Sequence, residues 1–324
     1  MTTLPLPTHH DVALAAERIS GHVRVTPVLV NDALNHQIGG SCYFKAESLQ
    51  ETGSFKLRGA MNRLLQIPVD RRASGVVAFS SGNHAQGVAR SAKRLGLPAT
   101  IVMPEDAPAV KIAGVRADGA DIRFYDRKTQ SREDIAAEIA SKRGAVLVPS
   151  FDDPMIIAGQ GTCGLELNQQ VDDLDMIICC TGGGGLITGI ALAYEGVSPR
   201  TQIWTAEPEG HDDWQRSLEQ HQIISNSKGV RSICDAILTP QPGAITWGVG
   251  RRLLAGGLVV SDDHIREAMR LAFRHLKLVL EPGGAAALAA ALFALPDAMK
   301  GKRIGIILTG GNVDADVFSE IIRG

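Results

Sequence analysis

An α/β fold built on two open parallel sheets is what this sequence predicts, and three observations predict it. Short apolar, β-branched runs recur along the chain, helical stretches separate most of them, and glycine-rich turns join strand ends to helix starts. The runs span 75–79, 99–103, 121–125, 145–148, 176–180, 202–206 and 303–308. Most are nearly continuous in apolar residues, as fits a parallel strand covered on both faces. The helical stretches are 83–95, 109–117, 132–142, 154–170 and 186–194. Asp262 followed by Ile265, Ala268, Met269, Leu271, Ala272 and Leu276 predicts one more, a capped amphipathic helix. The first four strands recur at short intervals. They predict a small domain, 71–151, inserted in a larger one made of 1–70 and 152–324.

Composition narrows the function. The 324 residues are 44% hydrophobic and 21% charged, as for an ordered, soluble chain. Lys plus Arg number 33 against 35 Asp plus Glu, so no basic domain offers itself to nucleic acid. No apolar stretch reaches the ~20 residues a membrane span needs, and the first ten residues do not resemble a signal peptide. Five cysteines without a CxxC pair predict reduced thiols and a cytoplasmic location. Glycine is in excess, at 35 residues, so the glycine clusters come first.

Open α/β sheets bind ligands at the carboxyl ends of their strands. Thr181-Gly182-Gly183-Gly184-Gly185-Leu186 follows one such strand and opens a helix. Four glycines let several backbone N–H groups approach an anion, and the helix dipole adds attraction, so a phosphate suits the turn. A tight turn packed with glycines is the competing reading. GxxxxGK[ST] is absent and GxGxxG fails at Ile187 and Thr188, which disfavours a nucleotide. Ser80-Ser81-Gly82-Asn83-His84 follows a second strand with two hydroxyls, an amide and an imidazole, donors suited to a carboxylate. Lys56 lies in a glycine-bounded turn beside Phe55, where a desolvated amine could act as a nucleophile. Leu308-Thr309-Gly310-Gly311-Asn312 brings a hydroxyl to the same sheet edge.

Ser54-Phe55-Lys56-Leu57-Arg58-Gly59-Ala60, Ser80 to His84, the four glycines and Thr309 to Asn312 occur in that order. The set resembles the serine/threonine dehydratase and serine racemase family, pyridoxal-phosphate enzymes of fold type II with the tryptophan synthase beta-like architecture. The resemblance implies that Lys56 carries pyridoxal phosphate as a Schiff base and that Gly182, Gly183, Gly184, Gly185 and Leu186 hold its phosphate. Phe55 would pack on the ring, Asn83 would bond its hydroxyl, Glu281 would lie near it, and Thr309 would face the pyridine nitrogen. A neutral hydroxyl there does not enforce a pyridinium, which suits elimination. The substrate carboxylate would dock on Ser80, Ser81, Gly82, Asn83 and His84, with Arg132 at the far end.

The implied reaction is α,β-elimination from L-threonine or L-serine, or a bulkier substrate such as phenylserine or hydroxyaspartate, to a 2-oxo acid and ammonia. Lys56 would take the α-proton. Ser81 keeps a second reading open, serine racemase, in which this hydroxyl protonates the opposite face. The resemblance also implies a homodimer and a divalent cation (Mg, Ca or Mn) held by Glu207, Asp213 and the backbone carbonyl of His211. A solvated acidic turn, or zinc on the His211 imidazole, are the competing readings of that loop.

Overall fold

The computed structural model describes residues 5–80 and 82–324. Ten strands form two sheets: β1 (Val28–Leu29), β2 (Ser41–Ala46), β3 (Val76–Phe79), β4 (Ala99–Pro104), β5 (Asp121–Tyr125), β6 (Val146–Leu147), β7 (Met176–Cys180), β8 (Gln202–Pro208), β9 (Leu254–Val260) and β10 (Arg303–Leu308). The larger sheet runs β1-β2-β10-β7-β8-β9, with only β1 antiparallel. The smaller runs β5-β4-β3-β6 and is wholly parallel. The α/β class is therefore as predicted, with the four closely spaced strands together in one sheet.

Burial explains which strands were legible. β7 is buried at every position and β10 at all but its first residue, because helices cover both faces of the larger sheet. Such strands read as continuous apolar runs. β2 and β9 escaped that pattern. β2 carries Lys45, which is wholly buried and paired with Glu166 at 2.8 Å. β9 carries Gly256 and Gly257, which interrupt the apolar run. A Cβ on Gly256 would come within 2.6 Å of the Trp204 ring, so packing on the neighbouring strand demands glycine there.

Two local expectations change. The helix predicted from Asp262 spans Asp262–Leu271, and Ser261 rather than Asp262 caps it, accepting the His264 N–H at 3.2 Å. Lys56 is not in a turn but begins the helix Lys56–Leu65. Arg58 anchors that helix. Its guanidinium is fully buried between Glu47 (2.7 Å) and Glu166 (2.6 Å). Removing one partner from such a cluster strands a buried charge, at a cost of roughly 3–5 kcal/mol. The helix also packs between the helices Asn83–Leu95 and Pro154–Gln170, so Lys56 starts from a fixed point.

Candidate active site

The carboxyl ends of β3, β7 and β10 converge with the start of the Lys56 helix around a cavity of about 420 Å³. Phe55, Lys56, Ser80, Gly82, Asn83, His84, Arg132, Gly182 to Leu186, Glu281 and Thr309 all line it. Ser81 lies outside the described residues. Parallel strands point their carboxyl ends the same way, which is how turns distant in sequence meet here. Two links lock the Lys56 turn to the end of β10: the Phe55 N–H donates to Thr309 O at 3.2 Å, and Ser54 forms a β-bridge with Gly310.

The Lys56 Nζ donates to Ser150 O at 3.0 Å and stands 5.0 Å from the Phe55 ring centroid. Burial lowers its pKa to about 8, with the Glu281 charge opposing. A lysine so desolvated is a free amine about a tenth of the time at pH 7, far more than an ordinary lysine, and that is the form that attacks carbonyl carbon or accepts a proton.

The glycine turn presents backbone rather than side chains. The N–H groups of Gly183 to Leu186 donate to no acceptor among the described residues, as expected at a helix start. Its carbonyls are taken from behind: Gly182 O by the Trp214 indole (2.7 Å) and Gly183 O by the Thr246 hydroxyl (2.7 Å). Gly184 has φ +96°, and a Cβ there would collide with the Trp214 ring. A Cβ on Gly185 would approach the Phe151 backbone to 3.0 Å. The turn is a cradle that only glycine can line, and its free donors fit an anion.

The opposite turn presents side chains. Asn83 donates to Glu281 and accepts from Asn312 at 2.8 Å, leaving one amide hydrogen. His84 is buried, with Nε2 3.1 Å from Val148 O. That contact assigns the ring proton to Nε2 and leaves Nδ1 an unpartnered acceptor. Burial and the Lys56 charge push the His84 pKa down to about 3, so the ring is neutral. As a donor to a carboxylate, His84 has only its backbone to offer. Glu281 is buried, and burial raises its pKa against the pull of Lys111. Arg132 stacks over the Phe79 ring at 5.3 Å and pairs with Glu133 at 2.8 Å.

Lys111 is the residue sequence reasoning missed. Its side chain is 2% exposed, and its Nζ reaches Asp235 at 2.8 Å and Glu281 at 3.3 Å. Burial works against its charge, yet Glu281 and Asp235 hold its pKa above the ordinary value. It also abuts the Ser80–His84 turn, since a Cβ on Gly82 would lie 3.3 Å from Nζ. Nothing in residues 109–117 distinguishes this lysine from a solvated one. Trp214 and Thr246 were missed too; a tryptophan in the largely polar stretch Asp213–Gln220 was the one available signal.

The acidic loop lies outside the cavity lining. Glu207 is fully buried and accepts the N–H groups of Trp214 and Gln215, each at 2.9 Å. Asp213 accepts from Asn226 at 2.5 Å, and its second oxygen is buried without a partner. Burial pushes Asp213 up to about 7, and burial together with Asp213 lifts Glu207 well above the usual carboxylate range. His211 turns Nε2 toward Val230 O at 3.3 Å. Among the described residues no three His, Cys, Asp or Glu side chains cluster as metal ligands.

The family model described as "Pyridoxal-phosphate dependent enzyme" matches residues 19–310. An L-threo-3-hydroxyaspartate ammonia-lyase of a Pseudomonas species is 43% identical over 99% of this chain and 100% of its own length. A serine racemase of Schizosaccharomyces pombe is 40% identical over 98% of both chains. Among solved structures, maize serine racemase superposes with a TM-score of 0.93, at 38% identity over 98% of both chains. With that likeness over nearly the whole length, and Lys56 facing a glycine cradle across one cavity, the chain belongs to the pyridoxal-phosphate dependent enzyme family.

Proposed function

We propose that this enzyme is an ammonia-lyase that converts a β-hydroxy amino acid to a 2-oxo acid and ammonia, with L-threo-3-hydroxyaspartate preferred over L-threonine and L-serine. The observation that carries this reading is the pair of cations beyond the carboxylate-binding turn, Lys111 and Arg132. Carboxylates of the lining hold both, Asp235 and Glu281 on Lys111 and Glu133 on Arg132, and a substrate's second carboxylate would exchange with the exposed ones, Asp235 and Glu133. The Pseudomonas relative named for hydroxyaspartate supports the same choice.

The residues present fit the cofactor: a buried amine of lowered pKa, and a cradle of unpaired N–H groups that any Cβ would fill. Lys56 would hold it, Gly182 to Leu186 its phosphate, Asn83 its ring hydroxyl, Phe55 and Glu281 its ring and Thr309 its pyridine nitrogen. When bound, it supplies a conjugated ring that accepts the electron pair left by the broken Cα–H bond. The N–H groups of Asn83 and His84 and the Ser80 hydroxyl, whose oxygen accepts the Gly82 N–H at 3.1 Å, bind the α-carboxylate. Arg132 and Lys111 orient the far carboxylate. Lys56, freed as an uncharged amine when the substrate's amino group takes its place, takes the α-proton. The Cβ–O bond breaks, the hydroxyl leaves as water with the proton that Lys56 took, and the enamine released hydrolyses to the 2-oxo acid and ammonia.

The two buried carboxylates of the acidic loop, with one oxygen unpartnered, fit an oxygen-liganded divalent cation better than they fit each other. Glu207, Asp213 and the His211 carbonyl are its proposed ligands. We place the small domain at 71–151, and the enzyme as a homodimer in the cytoplasm, where five buried free thiols persist. No helix among the described residues is long and apolar enough to cross a membrane.

A panel of β-hydroxy amino acids, read by 2-oxo acid release, tests the reading. Hydroxyaspartate should exceed serine and threonine in kcat/KM by at least about tenfold. Equal or higher values for the monocarboxylic substrates refute the acidic preference. Serine racemase is the second reading, favoured by the fission-yeast relative and by Ser81 in the sequence. D-serine appearing faster than pyruvate from L-serine would select it.

A further inference from the structure

We infer that Trp214, with Thr246 beside it, is a positioning residue that sets how tightly the glycine turn holds a phosphate. The inference rests on reading that turn as the seat of the cofactor phosphate. Neither residue lines the cavity; both act on the turn from behind. In a trans peptide the carbonyl and the following N–H point in opposite directions. The Trp214 indole holds Gly182 O, and the Thr246 hydroxyl holds Gly183 O. Fixing these two oxygens behind the turn directs the Gly183 and Gly184 N–H groups forward, into the cavity. A run of glycines has little preference of its own between this arrangement and the flipped one. A flipped peptide would present a carbonyl oxygen to the anion and repel it.

Both positioning residues are themselves anchored. Trp214 is wholly buried, and its backbone N–H is accepted by Glu207 at 2.9 Å. Its ring occupies the space a Gly184 side chain would need and also presses on Gly250. The Thr246 N–H is accepted by Asp152 at 3.1 Å, in the loop that carries the Lys56 contact Ser150. The indole is thus a rigid strut between the acidic loop and the cradle. A phenylalanine in its place would keep the packing and lose the hydrogen bond.

The test compares pyridoxal phosphate with pyridoxal, which lacks the phosphate. Pyridoxal also closes on itself as a hemiacetal, a term that is the same for every variant, so the change in the ratio of the two dissociation constants between wild type and variant isolates what the turn contributes. The full-length chain, freed of cofactor, is titrated with each compound and binding is read by absorbance. Wild type should favour the phosphate ester strongly. Trp214→Phe should cut that preference by about tenfold, the value of one lost hydrogen bond, with pyridoxal affinity unchanged. Thr246→Val, nearly the same shape, should act in the same direction and decides alone if the tryptophan variant does not fold. Trp204→Phe, whose indole bonds Gln202 at 3.0 Å, should keep the wild-type ratio. The inference is overturned if Trp214→Phe and Thr246→Val keep the wild-type ratio, or lose affinity for both compounds equally. A wild type that fails to distinguish the two compounds refutes the phosphate seat itself.

Discussion

Two strand-to-helix turns face each other across the cavity, and they are built on opposite principles. The turn after β7 has no side chains from Gly182 to Gly185; its chemistry is backbone N–H, and its shape is imposed from behind by Trp214 and Thr246. The turn after β3 carries hydroxyl, amide and imidazole groups, and its link runs forward, from Asn83 to Glu281, beside the bridge that Lys111 of helix 109–117 makes to Asp235 and Glu281. A fixed anion is best held by fixed dipoles that need no reorganisation. A ligand that enters and leaves is better met by side chains whose partners can exchange. The difference teaches which half of the site is scaffold and which is adjustable.

The largest expected effect lies between the two turns. Lys56→Ala should remove covalent cofactor attachment and lower turnover by at least about 10³-fold; intact-mass and absorbance measurements check this. On the scaffold side, Gly184→Ala forces a Cβ into the Trp214 ring at a positive φ. Urea titration should show a loss of about 3 kcal/mol, with cofactor retention lost as well. A variant that stays fully stable would mean the cradle is not held rigidly.

On the adjustable side, Lys111→Gln removes a buried cation and leaves Glu281, whose raised pKa lets it take up a proton instead of unfolding the site. The fold should therefore survive. The KM for hydroxyaspartate should rise about tenfold to a hundredfold more than that for serine. Equal effects on the two substrates would make Lys111 a structural strut like Trp214.

A smaller effect is expected from pH. Capture of pyridoxal phosphate by the cofactor-free chain needs the unprotonated Lys56 amine. With a pKa of about 8, the rate should rise about tenfold from pH 7 to 9 and then level off, whereas an ordinary lysine would go on gaining past pH 10. A stopped-flow pH series separates the two. The smallest effect concerns the acidic loop. Chelation should lower Tm by a few degrees, reversibly on adding Mg or Ca, because a ligand that binds only the folded state stabilises it.

Much of this site was legible in the sequence, because each turn after a buried strand carries its chemistry in consecutive residues. Four glycines in a row, or Ser80 through His84, survive as motifs whatever the rest of the chain does. β3, β7 and β10 were legible for a related reason: burial on both faces writes an unbroken apolar run. β2 and β9 were not, since Lys45 is neutralised by Glu166 and Gly256 is required by the Trp204 ring, and both partners are distant in sequence or lie on another strand.

By itself, then, the sequence determined the α/β class, most of the strands and the motifs that meet at the strand ends. Only the tertiary structure decided the charge states and the supports. Lys56 is depressed because the fold buries it, His84 is neutral because burial and the Lys56 charge disfavour its charged form, and Lys111 becomes an active-site cation because helix 109–117 is folded against Asp235 and Glu281. Desolvation and long-range pairing depend on what surrounds a group in space, and a linear pattern does not record that.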